Sequence, residues 1–301
     1  MSINIIINQV IIMFLLSVCG YVLYKKKFIS YDTCSQMSGI LVKVIMPLII
    51  IEQLSIPFNQ KTLTDLSLSF LLSGLAYMIA IIVSKILFNK NTVIEQCSIV
   101  FSNSAFMGIP LVTSILGTNA LIYLIPFIIL FNILTWTYGI KVLEPSTKLH
   151  FKQLINNPVI IGFIIGVLLF FLNIPLHYSI QKSLNYLTSL NTPLAMIILG
   201  CYVAQLNFKQ VEFNTKMVFV ILGRLIIVPL INFLIFIYLI PINNPVLKMT
   251  VLIASSCPVA ASVAMFSQLF NKDFKLAASY VSITTIISMI TLPIILSIIL
   301  I

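Results

Sequence analysis

Long apolar runs alternate with short polar breaks along the whole chain. A helix needs roughly 20 mostly apolar residues to cross about 30 Å of hydrocarbon, and most of the runs are of that length. Turn residues mark the breaks: Pro57-Phe58-Asn59, Gly117-Thr118-Asn119, Pro175 and Pro241-Ile242-Asn243-Asn244-Pro245. The pattern predicts an all-α membrane protein with ten transmembrane helices. Their expected bounds are Ile3–Tyr24, Ser35–Ile56, Thr64–Leu87, Val93–Leu116, Ala120–Val142, Asn157–Leu172, Leu184–Leu206, Lys216–Ile240, Leu247–Leu269 and Lys275–Ile299.

Composition sharpens this picture. Of 301 residues, 60% are hydrophobic and only 8% are charged, with a mean hydropathy of +1.15. A soluble domain carries about 25% charged residues. The net charge of +10 does not point to nucleic acid, because the basic residues sit at the ends of apolar runs. With ten spans, one face receives Lys25, Lys26, Lys27, Lys85, Lys90, Lys141, Lys148, Lys152, Lys209, Lys216, Lys272 and Lys275. The other face receives Lys61, Lys182 and Lys248. The positive-inside rule then puts both termini outside the cytoplasmic membrane. Positive charge follows the first run instead of preceding it, so that run is expected to be a retained span, not a cleaved signal. Five scattered cysteines and two histidines, His150 and His177, lack metal-ligand spacing. No cofactor is expected.

Prolines suggest a duplication. Pro47 and Pro193 are 146 positions apart, and Pro110 and Pro258 are 148 apart. Five helices per copy is an odd number, so the second copy would be inserted upside down. This predicts two inverted repeats, 1–142 and 157–301, joined by a cytoplasmic linker at 143–156.

The candidate chemistry lies in Phe101–Leu111 and Ala254–Ala264, where small, hydroxyl and amide residues flank a mid-span proline. Proline lacks an N–H and displaces the carbonyl four residues back. Breaks are expected at Pro110, eased by Gly108, and at Pro258. A freed backbone group at this depth needs a polar partner. The half-helix after each break begins with unpaired N–H groups at the positive end of its dipole, which suits an anion. Ser102, Asn103, Ser104, Ser255 and Ser256 could add side-chain hydrogen bonds. The alternative is an ordinary kink with small residues packing helices closely. Asn132 would serve as interhelical glue or touch substrate. Lys43 and Arg224 would snorkel or supply a counter-charge. Glu52 is the carboxylate singled out within a span, as either a proton relay or a solvated group. No Walker loop and no hydrolase or protease motif occurs, so the chain is not read as an enzyme.

Asn103-Ser104-Ala105-Phe106-Met107-Gly108-Ile109-Pro110-Leu111 resembles the fourth-span signature of the auxin efflux carrier family, which includes bacterial malate and malonate permeases and, more distantly, the plant carriers. Thr192–Gly200, Asn156-Asn157-Pro158 and Asn132 fit the same family. The resemblance implies inverted five-helix repeats with crossed, broken helices four and nine, the NhaA-like and bile-acid-transporter-like fold. It implies a scaffold of spans one, two, six and seven, and an elevator-type carrier of a mono- or dicarboxylate or auxin-like acid. Asn103 and Asn132 fall at the family's polar contacts. Ser256-Cys257-Pro258-Val259 departs from the plant pattern, which carries Asn beside the proline. The partners expected are the carboxylate and the lipid bilayer, with a homodimer left open. A sodium-coupled organic-anion symporter and a ligand sensor that does not transport are the alternative readings.

Overall fold

The computed structural model describes residues 3–147, 151–205 and 213–299. His150, Lys148 and Lys209 lie outside the described residues, as does part of the expected linker. Among the described residues the chain is all-helical and has no named strand.

The helices are α1 (Ile3–Lys25), α2 (Tyr31–Leu54), α3 (Gln60–Leu87), α4 (Val93–Val100), α5 (Ser104–Leu116), α6 (Thr118–Leu143), α7 (Pro158–Leu172), α8 (Tyr178–Gln205), α9 (Thr215–Leu239), α10 (Pro245–Ser256), α11 (Ala261–Leu269) and α12 (Phe274–Ile299). A short helix at Phe151–Ile155 precedes α7. Seven of these helices are long and apolar enough to cross a membrane: α1, α2, α3, α6, α8, α9 and α12. Three shorter apolar helices accompany them: α5, α7 and α10.

The boundaries follow local chemistry. Gly117, at φ +89°, separates α5 from α6 in a conformation open to glycine, which supports the reading of two elements there. The α8 helix starts at Tyr178, not at Leu184 as expected. The His177 imidazole Nδ1 accepts the Ser179 N–H and caps a polar first turn.

Proline acts differently from the expectation. Pro47, Pro110 and Pro229 each occupy the second position of a helical segment that follows a five-residue wide turn. The residue before each proline bonds back five positions: Met46 to Leu41, Ile109 to Ser104 and Val228 to Gly223. The wide turn takes up the displaced carbonyl without breaking the helix. Pro110 therefore lies inside a continuous helix, and the break expected there falls at Phe101–Asn103 instead.

Two helix pairs pack backbone to backbone. A methyl on Gly20 would collide with the Ile197 main chain, and one on Gly200 with that of Ser17, so α1 seats directly on α8. A methyl on Gly162 would stand 2.8 Å from the Pro47 Cα, so α7 seats on α2 in the same way. Small residues allow such contact between apolar helices.

Candidate functional site

Two helical interruptions meet inside the molecule. The first lies between α4 and α5, the second at Cys257–Ala260 between α10 and α11. They pair as a single antiparallel bridge, Ser102 against Val259. The Asn103 N–H donates to the Pro258 carbonyl at 2.8 Å, and the Ala260 N–H to the Phe101 carbonyl at 2.9 Å. Each break thus satisfies backbone groups freed by the other, as burial in an apolar medium requires.

Two side chains complete the crossing. Arg224, 1% exposed, reaches into it from α9. Its Nε donates to the Cys257 carbonyl at 2.9 Å, one Nη to Ile99 at 2.8 Å, and the other Nη to Ser255. These carbonyls belong to the C-terminal ends of α4 and α10, where helix dipoles are negative and carbonyls lack partners. The cation therefore neutralises both negative ends. Arg224 shares the buried face of α9 with Val228 and Asn232, at i, i+4 and i+8. From α12, the Thr284 hydroxyl accepts the Val259 N–H at 3.2 Å while donating to the Tyr280 carbonyl at 2.7 Å.

The positive ends of α5 and α11 remain, with first-turn N–H groups that have no intrahelical partner. Beside them the Ser102 Oγ, Asn103 Nδ2 and Ser104 Oγ are buried and lack a hydrogen-bond partner. Three adjacent side chains in this state are costly unless a polar group occupies the crossing. Gly108 is helical and contributes differently from its expected role. A methyl there would lie 3.6 Å from the Cys257 Sγ and 4.0 Å from the Ala254 Cα, ordinary contact distances, so the glycine faces α10 without a methyl being excluded.

The other expected site residues separate. The Ser255 and Ser256 hydroxyls both return to the Leu252 carbonyl, at 3.0 and 2.7 Å, so these groups are spent on their own helix. Asn132 donates to the Ile128 carbonyl at 2.9 Å and accepts from the Asn157 amide at 3.0 Å, which makes it interhelical glue between α6 and α7. Glu52 accepts from Asn185 at 3.2 Å, away from the crossing. Lys43 is exposed on the outer surface of α2, whereas Arg224 does not snorkel at all.

Two buried carboxylates escaped the sequence reading because each lies near a helix start. Asp65 accepts from the Asn244 amide at 2.9 Å and the Tyr123 hydroxyl at 3.3 Å, joining α3, α6 and the start of α10. Glu95 accepts from the Tyr280 hydroxyl at 3.1 Å and pairs with Lys216 at 3.7 Å, joining α4, α12 and α9.

The profile of the family described as membrane transport protein matches residues 5–152 and 146–296. The chain is also similar to an uncharacterized transporter of Methanocaldococcus jannaschii, with 30% identity over 198 residues. That match spans 63% of this chain and 63% of the relative's length.

Proposed function

The chain belongs to the membrane transport protein family, the auxin efflux carriers, and from that premise we propose that it is a secondary carrier moving a small organic anion, a mono- or dicarboxylate, across the cytoplasmic membrane. The observation that carries the anion reading is the crossing itself. Its negative dipole ends are covered by Arg224, its positive ends are open, and Ser102, Asn103 and Ser104 offer unpartnered donors. An anion is the ligand that such a field favours.

In this reading the chain has ten crossing segments, with α4–α5 and α10–α11 counted as one each, in two inverted repeats, 1–142 and 157–301. Packing symmetry supports it. First-to-seventh and sixth-to-second are equivalent pairs under inversion, and these are the two glycine-mediated contacts, α1 on α8 and α7 on α2. The acid clusters obey the same operation. Asp65–Tyr123–Asn244 joins segments three, five and nine, while Lys216–Tyr280–Glu95 joins eight, ten and four. The two glycine-bonded pairs form a scaffold, and the other six segments, which carry the crossing, move against it as an elevator. Both termini lie outside, by the lysine bias.

Counterflow of a labelled carboxylate in proteoliposomes tests the site. Asn103→Ala is expected to abolish flux with the melting temperature unchanged, while Asn132→Ala retains flux. Undiminished flux in Asn103→Ala would remove this residue, and the crossing with it, from the substrate site.

A further inference from the structure

Two cysteines far apart in the chain, Cys34 and Cys201, meet where α2 begins and α8 ends. These helices run antiparallel, with Ser38 against Tyr202 at one end and Glu52 against Asn185 at the other. The Ser38 and Tyr202 hydroxyls lie 2.7 Å apart and fix the register. Cys34 is one helical turn before Ser38 on the same face, and Cys201 adjoins Tyr202. The Cys34 thiol donates to the Cys201 sulfur, and the Cys201 thiol to the Gly20 carbonyl at 3.4 Å. Cys201 follows Gly200, whose backbone rests on α1, so that seam holds its sulfur in place. Both thiols are free and buried. Each lies within about 6 Å of the end of its helix, measured along the axis.

We propose that Cys34 and Cys201 are a redox-modification site, a thiol pair that a peroxide converts into a disulfide stapling α2 to α8. The staple depends neither on the substrate nor on the transport cycle. Among the described residues no group of three His, Cys, Asp or Glu side chains could hold a metal, so the two sulfurs have no third ligand of that kind. What two thiols in contact can do is couple. Hydrogen peroxide is close to water in size, and the fraying of one terminal turn is enough to admit it. One sulfur attacks a peroxide oxygen; the O–O bond breaks, water leaves and a sulfenic acid remains. The second sulfur attacks the sulfenic sulfur; the S–S bond forms, the S–O bond breaks, and the hydroxyl leaves with the remaining thiol proton as a second water. Two thiols are oxidised and one peroxide is reduced to two waters. Contact between the sulfurs favours this closure over further oxidation of either one. The disulfide closes a loop of more than half the chain, and closing a long loop removes the most freedom from the unfolded state. In the orientation given by the lysine bias the pair lies at the cytoplasmic end of both helices, where disulfides are transient and respond to oxidant.

The test treats the reduced, purified full chain with hydrogen peroxide, blocks the remaining thiols with a maleimide, and maps peptides by mass spectrometry with and without reductant. A cross-linked peptide pair holding Cys34 and Cys201 is expected, and it should separate on reduction. The thermal unfolding midpoint in detergent should rise on oxidation and return with reductant. Cys34→Ala and Cys201→Ala should each lose the cross-link and the rise, whereas Cys19→Ala, at the exposed cysteine, should keep both. Sulfinic acid at Cys34 or Cys201 without a cross-link, or maleimide on both, would overturn the proposal. So would a midpoint that oxidation leaves unchanged. The cross-link is read in the wild-type chain, so the test remains decisive even where a variant fails to fold.

Discussion

Arg224 holds carbonyls of two separate half-helices, so its removal leaves three buried acceptors without donors. Hydrogen bonds to charged groups contribute about 1.5–3 kcal/mol each. Arg224→Met is expected to lower the thermal unfolding midpoint in detergent by many degrees, and Arg224→Lys by less, because one ammonium cannot span all three acceptors. Lys43→Met should leave the midpoint unchanged, since Lys43 is exposed and carries no such load. An Arg224→Met variant as stable as the wild type would show that water replaces the guanidinium. Both basic residues read alike in the sequence, each about eight residues inside an apolar run. What separates them is which face each helix turns inward. Both lie in a wide turn that precedes a proline, so the turn does not distinguish them.

At the scale of elements, glycine positions decide how closely helices approach. Gly200→Ala and Gly20→Ala each place a methyl into the opposing main chain of the α1–α8 contact. Overpacking of this kind costs about 1–3 kcal/mol. Each variant should melt below the wild type. Gly39→Ala is the converse case: nothing stands within 4 Å of its added methyl, and a helical alanine is favoured over glycine by about 0.5–1 kcal/mol. It should melt at or above the wild-type temperature, and a drop equal to that of Gly200→Ala would refute the packing account. Proline is also legible only in part at this scale. The chain's prolines announce disturbed helices, but Pro110 produces a wide turn and Pro258 an interruption. The spacing of 148 residues between them therefore joins unlike positions. The residues that meet where the two helices are interrupted are the bridged pair, Ser102 and Val259.

For the whole molecule, the proposed inverted arrangement would put the Asp65 and Glu95 clusters on opposite membrane faces. Cysteines introduced at Asn59 and Asn89, in the loops that bound α3, should react with a membrane-impermeant maleimide from opposite sides of sealed vesicles. Labelling of both from one side would refute the topology. A second tie is electrostatic. Glu144, just beyond α6, accepts from the Ser146 hydroxyl at 2.8 Å and pairs with Lys272, before α12, at 3.2 Å. These contacts hold its carboxyl below the ordinary carboxylate range, the Ser146 bond first and the ammonium second. A depressed acid stabilises the fold above its unfolded pKa and loses that contribution as pH falls through the folded value. The midpoint difference between wild type and Glu144→Gln should therefore be small at neutral pH, because the site is exposed, should shrink as pH falls below the ordinary glutamate value of about 4.3, and should vanish only once pH lies below the depressed folded value.

Hydropathy, lysine placement and turn residues were enough to establish a helical membrane protein and to bound most of its helices, because the cost of burying backbone or charge in lipid leaves few alternatives. The motif around Asn103 also lies where the first helical interruption falls. The sequence could not say that the break precedes Asn103 by two residues, since proline displaces a carbonyl whether the helix answers with a wide turn or a gap. Nor could it say that Ser255, Ser256 and Asn132 spend their polar groups locally while Ser102, Asn103 and Ser104 do not. Satisfaction of a polar group depends on which atoms meet it in space. Ile99, Ser255 and Cys257 converge on Arg224 only after distant helices have crossed, and that convergence is what the tertiary structure alone decided.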